Sequence, residues 1–107
     1  RHYDYTALEH RVDVFVAELE SILRGKGVPV QIPHIASMFT VYFTDAPLRD
    51  FASTQTVNRE LFESFYKQMR ERGVFLAPSA FEANMVSFAH SDEDFETALD
   101  AARSVSL

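Results

Sequence analysis

Residues 73–94, GVFLAPSAFEANMVSFAHSDED, decide the fold, because two short apolar runs, a turn and a helix start follow one another there. Residues 74–76 and 85–88 are rich in β-branched and aromatic side chains, which predicts two short strands. Pro78 has a fixed φ angle and marks the loop between them. Ser91 is a suitable N-cap for a last helix, whose first turn carries three acidic residues that suit the positive end of the helix dipole.

A first helix is predicted well upstream of this stretch. It should begin at Thr6, which with Glu9 forms a Thr-x-x-Glu capping box. Gly25 and Gly27 should end it, since glycine readily takes the left-handed conformation needed there. Its apolar residues recur at helical spacing and form one face: Leu8, Val12, Phe15, Val16, Leu19, Ile22 and Leu23.

A second helix is predicted after residues 46–56, which have no sustained period and are expected to form a surface loop. Asn58 is the expected N-cap of this helix, and Gly73 lies where a left-handed residue is wanted at its end. Its apolar stripe, and that of the last helix, consist of Leu61, Phe62, Phe65, Tyr66 and Met69, and of Phe95, Ala98, Leu99, Ala102 and Val105.

Two β-rich runs, residues 30–33 and 38–43, are expected to pair in antiparallel fashion across a connection at residues 35–37. Pro33 indicates that the first strand lies at an edge or is broken there. The resulting order is α-β-β-α-β-β-α. We therefore expect residues 1–107 to form a single α+β domain, a small antiparallel sheet with helices packed on it.

Composition limits the function classes. The 107 residues are 47% hydrophobic, enough for one buried core, and ten Lys and Arg against sixteen Asp and Glu give a net charge of -6. That balance argues against a nucleic-acid partner, because binding a phosphate backbone requires a positive field. The absence of Cys excludes disulfides and thiolate chemistry. No apolar run approaches the roughly 20 residues of a membrane span, so a cytoplasmic protein is expected.

Familiar catalytic and binding patterns are not formed by the available side chains. Ser79 and Ser87 lie outside any Gly-x-Ser-x-Gly sequence. Lys26 lies between two glycines in a helix-ending turn without a phosphate-loop pattern, and Lys67 lies on a solvated helix face, so neither has the context of a cofactor lysine. The aromatic residues have the spacing of a hydrophobic core. Metal-ligand spacing is absent among the four histidines, which are His2, His10, His34 and His90.

Two segments, residues 73–94 and residues 37–45 (SMFTVYFTD), together resemble the glutamate-1-semialdehyde 2,1-aminomutase family in order and spacing. These are pyridoxal-phosphate enzymes of the class-III aminotransferase group, which form 5-aminolevulinate for tetrapyrrole synthesis. The resemblance covers the chain from about Tyr5 to Arg103. It implies that this chain is the C-terminal small domain of such an enzyme, bordering the active site, and that the isolated chain is inactive.

The same resemblance implies where the missing chemistry lies. The family's cofactor lysine and phosphate-binding loops belong to a large catalytic domain expected before Arg1, so the chain alone is expected to contribute no catalytic, cofactor-binding or metal-binding residue. The parent enzyme is expected to bind pyridoxal phosphate and to form a homodimer. One face of the small domain should then be unusually apolar, because it would pack on the large domain. The strand containing Met38 and Phe39 runs close to that interface in the family.

Glu82 is the residue that the resemblance singles out. In the family, the glutamate of this Phe-Glu-Ala motif points toward the substrate entrance, and Ser79 and Phe81 are expected to shape the loop that holds it. Asn84 and Met85 depart from the residues that the family more often has at these positions. The small domain of another class-III aminotransferase, or a freestanding non-enzymatic α+β interaction module, therefore remains an alternative. The sequence encoded upstream of Arg1 would distinguish a detached domain from a freestanding module.

Overall fold

The computed structural model describes residues 5–48, 57–77, 84–85 and 92–107. Three helices and a three-stranded antiparallel sheet in the order β1-β2-β3 make an α+β domain, as the sequence predicts. The strands contribute only two residues each to the sheet. The elements are α1 (Tyr5–Arg24), β1 (His34–Ile35), β2 (Met38–Phe39), α2 (Arg59–Glu71), β3 (Asn84–Met85) and α3 (Asp92–Ser104).

Helix α1 ends where glycine predicts but begins earlier than the capping box predicts. Its first helical residue is Tyr5, so Thr6 lies inside the helix and the prediction that it is the N-cap is wrong. A shift of one residue at a helix end is common, because terminal turns are weakly defined. At the other end Gly27 has a φ of 84°, in the left-handed region, and its amide donates to the carbonyl of Arg24 at 3.0 Å.

Both predicted ends of α2 are confirmed. The Oδ1 atom of Asn58 accepts a hydrogen bond from the amide of Leu61 at 3.1 Å, which satisfies one of the free donors of the first turn. Gly73 has a φ of 84°, and the next amide, that of Val74, donates to the carbonyl of Met69 at 2.9 Å. This bond over six residues is the pattern of a helix closed by a left-handed glycine.

The first hairpin is antiparallel as predicted, but its turn is tighter. Ile35, which the sequence places in the connection, pairs directly with Met38. Only Ala36 and Ser37 form the turn, and Ala36 has a φ of 54°. A positive φ at the first turn residue suits a two-residue hairpin, because it matches the twist of the strands.

Pro33 divides the first β run as the sequence indicates. On one side of it lies β1, an edge strand, and on the other side Gln31 forms an isolated antiparallel bridge with Tyr42. The carbonyl of Pro33 accepts a bond from Thr40 at 3.1 Å, whereas a proline nitrogen can donate none. The continuous strand predicted at residues 30–33 is therefore a single bridge, and the regular ladder follows the proline.

The prediction of a strand at residues 74–76 is wrong. The amide of Val74 is bound by the end of α2, and the amide of Ala77 donates to the side chain of Asn84 at 2.7 Å instead of to a neighbouring strand. Strand β3 starts at Asn84, pairs with β2, and confirms the beginning of the second predicted run. Residues 86–88 of that run lie outside the described residues, as do residues 49–56 of the predicted loop and the predicted cap Ser91.

Aromatic rings join the helices to the inner face of the sheet. The ring of Phe15 on α1 lies 5.7 Å from that of Phe39 on β2 and 5.0 Å from that of Phe95 on α3. The rings of Phe43 and Phe65 meet edge to face at 5.5 Å. The predicted apolar faces of all three helices are confirmed, with Ile22, Leu61, Tyr66, Phe95 and Ala98 partly rather than fully buried.

The C-terminal end of α3 is held by cationic side chains. Lys26 Nζ donates to the carbonyl of Arg103 at 2.9 Å, and Arg72 donates to both the carbonyl and the hydroxyl of Ser104 at 3.3 and 2.6 Å. The Ser104 hydroxyl in turn donates to the carbonyl of Ala101 at 2.9 Å. These bonds satisfy carbonyls that have no partner within the helix, at the end where positive charge is favourable.

Candidate functional site

The residues predicted at the substrate entrance, Ser79, Phe81 and Glu82, lie outside the described residues, and Pro78 does too. What the structure describes is how both ends of segment 78–83 are fixed. Asn84 follows the segment directly and accepts a hydrogen bond on Oδ1 from the amide of Ala77, which precedes it, at 2.7 Å. One side chain therefore joins the two ends of the segment that carries Glu82.

Asn84 also ties this junction to the sheet. Its Nδ2 atom donates to the carbonyl of Phe39 on β2 at 3.4 Å, and the two residues are cross-strand partners. Phe39 is itself 5% exposed and packs on Phe15, so the junction rests on the hydrophobic core. Sequence reasoning noted Asn84 only as a departure from the resembled family. An Asn next to a loop can bind backbone groups and was the available signal for this role.

The end of the segment comprising residues 37–45 is fixed by polar contacts. Gln31 Nε2 donates to the carbonyls of Thr44 and Ala46 at 2.9 and 2.7 Å. The buried Thr44 accepts a bond on Oγ1 from the amide of Ala46 at 3.1 Å. The two sequence segments that carry the family resemblance are thus both attached to the same small sheet, one at β2 and the other at β3.

Neither lysine fits a site that holds a cofactor covalently. Lys26 lies in the turn after α1, as the sequence indicates, where its ammonium group binds the end of α3. Lys67 is exposed on α2, also as predicted. The lysine positions therefore do not suit covalent binding of pyridoxal phosphate, and we assign no chemical step on such a group to this chain.

The histidines that the structure describes lie apart from each other. His34 Nε2 lies 2.7 Å from Asp13 Oδ1 of α1, so this ring connects the edge strand to the helical layer. His10 lies within α1 and not at a flexible end, which corrects the expectation for that residue. Within residues 5–48, 57–77, 84–85 and 92–107, no group of three or more His, Asp or Glu side chains could hold a metal ion. His2 and His90 lie outside those ranges.

A groove of about 250 Å³ lies between α1 and α3, on the helical layer. Its walls include the aromatic pair Phe15 and Phe95, and Arg11 Nε lies 3.0 Å from Asp92 Oδ1 beside it. The Arg11 guanidinium also stacks on Phe95, with its central carbon 5.0 Å from the ring centre. The groove therefore has matched charges at its rim and an apolar interior.

Proteins of known activity resemble the chain strongly, although no protein-family model matches it. The glutamate-1-semialdehyde 2,1-aminomutase of Nitratidesulfovibrio vulgaris strain DP4 is 62% identical to it over 104 residues, which cover 97% of this chain and 25% of that protein. The protein of the same name from Desulfovibrio desulfuricans strain ATCC 27774 is 53% identical over 105 residues, covering 98% and 25% respectively. The chain thus spans about a quarter of the length of these relatives.

Solved structures share the fold. An omega-transaminase from Sphaerobacter thermophilus matches with a TM-score of 0.83 at 22% identity, covering 94% of this chain and 23% of that one. A transaminase with PLP bound matches with a TM-score of 0.72 at 16% identity, covering 94% and 22%. At such identities the likeness establishes the fold alone. Among the described helices, none combines the length and the apolar character needed to cross a bilayer.

Proposed function

Because the chain belongs to the glutamate-1-semialdehyde 2,1-aminomutase family over the length that it spans, we propose that it is the small domain of such an enzyme. The parent enzyme would move an amino group within glutamate-1-semialdehyde to give 5-aminolevulinate. The observation that carries this proposal is the 62% identity over 97% of the chain, combined with coverage of only 25% of the relative. A segment with that relation to its relatives is one unit of a larger enzyme.

The division of labour follows from the two lysines. Lys26 binds a backbone carbonyl and Lys67 lies on an exposed helix face, so the lysine that holds the cofactor would belong to the large domain. Pyridoxal phosphate supplies the means of moving the amino group, and its binding in the parent is consistent with the PLP-bound transaminase of the same fold. The small domain would supply one wall of the active site. A homodimeric, cytoplasmic parent enzyme belongs to the same proposal.

Glu82 is the residue that we propose to act at the substrate entrance, with Ser79 and Phe81 shaping its segment. Its anchor is described: Asn84 joins the ends of segment 78–83 and attaches them to β2. A carboxylate on such a segment could pair with a cationic group of the large domain and be displaced when the substrate's own carboxylate arrives. Glu82 would then couple substrate binding to opening of the entrance.

Replacement of Glu82 by Gln in the full-length enzyme tests this role. The change preserves shape and removes charge, so the free energy of unfolding should change by less than about 0.5 kcal/mol. The rate constant kcat/KM for 5-aminolevulinate formation should fall by about fivefold or more, equivalent to about 1 kcal/mol of lost transition-state stabilisation. Steady-state kinetics and urea unfolding provide the two measurements.

The exposed Glu93 of α3 offers a matched control, since Glu93→Gln removes the same charge elsewhere on the domain. That variant should keep its kinetics. Equal kinetics for wild type and Glu82→Gln would show that Glu82 is an ordinary solvated carboxylate. Activity on other amino donors with none on glutamate-1-semialdehyde would instead assign the domain to another class-III aminotransferase. An upstream sequence without a large domain would favour the freestanding interaction module.

A further inference from the structure

The first hairpin has reversed polarity for a sheet covered on one side only. In β1 the polar residue His34 lies on the face that meets α1, where it contacts Asp13, whereas the next residue, Ile35, is 72% exposed. Successive residues of a strand point to opposite faces. A hairpin with one face in water would normally place the apolar residue inward and the polar residue outward. This arrangement indicates that the second face is also meant to be covered.

The same polarity continues on the neighbouring strands. Met38 is the direct partner of Ile35 and is 37% exposed, whereas Phe39, the next residue, is 5% exposed and belongs to the core. Met85 occupies the register position opposite Met38 on β3. The outer row, which we define as the positions of Ile35, Met38 and Met85, therefore places one large apolar residue type on each of the three strands.

We propose that the outer row is the surface through which this domain docks on the rest of the enzyme chain. The identity of the occupant rests on the proposed function: the chain spans about 25% of its relatives, so about three quarters of the enzyme remain to cover this face. The row ends on β3, whose first residue, Asn84, anchors the segment carrying Glu82. Docking through this row would fix that segment relative to the large domain.

The row has the features of an interface anchor rather than of a misplaced core. Its two described side chains are exposed here and contribute little to the domain's own stability, yet they occupy adjacent, hydrogen-bonded strands that hold them rigidly. Apolar residues on a rigid support gain contact area at small entropic cost when they bind. Isolated exposed apolar residues are ordinary, but a row in register across a sheet is a patch with a defined orientation.

The double substitution Ile35→Thr/Met38→Thr tests the docking in the full-length enzyme. Threonine retains the strand preference of the hairpin, so the change removes apolar contact area without disfavouring the strands. We expect the Tm of the full-length enzyme to fall by about 3 °C or more, and that of the 107-residue chain to change by about 1 °C or less. Calorimetry on both proteins gives the comparison.

Val14→Thr provides the control, because Val14 is also exposed, at 57%, but lies on α1 in the helical layer. It should leave the Tm of both proteins unchanged. An unchanged Tm of the full-length double variant, or an equal loss in the isolated chain, would overturn the proposal.

Light scattering of the isolated chain distinguishes a second occupant. If the chain dimerises, if the double variant abolishes the dimer and if the full-length Tm does not change, the row binds a second copy and the proposal is wrong. The readout is stability and not turnover, so a failure of Glu82→Gln to alter kinetics leaves this outcome independent. Docking can therefore be confirmed even if the role proposed for Glu82 fails.

Discussion

A single oxygen atom starts helix α2. Asn58 precedes the helix with extended backbone angles, φ -83° and ψ 102°, and its Oδ1 atom accepts from the amide of Leu61. Four amides at a helix start lack partners within the helix, and this contact satisfies one of them. Helix α2 contributes Phe62, Phe65 and Met69 to the core, so its start affects the whole domain.

We expect Asn58→Ala to lower the free energy of unfolding by about 1 kcal/mol, because alanine cannot accept that hydrogen bond. Asn58→Asp should preserve stability, since it retains the acceptor and places a negative charge at the positive end of the helix dipole. Urea unfolding of the three chains measures the difference. Equal losses in the Ala and Asp variants would show that the contact contributes nothing measurable.

Residue-scale predictions succeed where the chemistry is local. The cap at Asn58 and the left-handed glycines, Gly27 and Gly73, depend on neighbours within a few positions, and the sequence contains those neighbours. Thr6 shows the limit, because a capping pattern can begin inside a helix. Asn84 could not be assigned from sequence, since the Phe39 carbonyl that it binds lies 45 residues away along the chain.

Among the elements, the helices follow from periodicity and the strands do not. Each helix buries one stripe, and the spacing of apolar residues identifies that stripe without knowledge of the partner. Each strand contributes two residues to the ladder, so its limits depend on which backbone groups find partners. Residues 74–76 have suitable side chains for a strand, but the adjacent amides of Val74 and Ala77 are already used by α2 and Asn84.

At the same scale, Arg72 connects α2 to the end of α3. It donates to the Gln68 carbonyl at 2.9 Å and to the backbone and hydroxyl of Ser104. We expect Arg72→Met to lower the free energy of unfolding by about 1 kcal/mol, because the terminal carbonyl of α3 loses a charged donor. Chemical unfolding at low and high salt measures this, and the loss should shrink in high salt.

Lys67→Met is the control for Arg72→Met, because it removes one positive charge from the exposed face of the same helix. Its effect should remain within about 0.5 kcal/mol. If both substitutions cost the same, general charge on α2 and not the contact with Ser104 would account for the loss.

For the whole molecule, the sequence predicts the α+β class because three amphipathic helices and short apolar runs can bury their faces only against one another. The family resemblance, and not residue periodicity, locates the candidate site. Glu82, Ser79 and Phe81 have no helical or strand pattern of their own, and their proposed role depends on a domain beyond this chain. Physical reasoning from these residues alone could therefore reach the fold but not the substrate.

We predict that the 107-residue chain does not hold pyridoxal phosphate covalently at a specific site. Lys26 is engaged with Arg103 and Lys67 is solvent-exposed, so neither has an environment that would favour a stable covalent adduct. The test is incubation with the cofactor, reduction with borohydride and peptide mapping. Stoichiometric labelling of one lysine would refute the prediction, and a free-lysine peptide labelled in parallel calibrates nonspecific reaction.

The bond between Asn84 and Ala77 has a consequence for how long segment 78–83 can be. Because the fold already brings the two ends together, a change in segment length alters mainly the entropy of closing the loop. That entropy grows only with the logarithm of length, so doubling the six residues would cost about 0.6 kcal/mol. Insertions there could extend the reach of the entrance while leaving the sheet and core intact, which makes this segment a place where enzymes of this fold can diverge at small cost in stability.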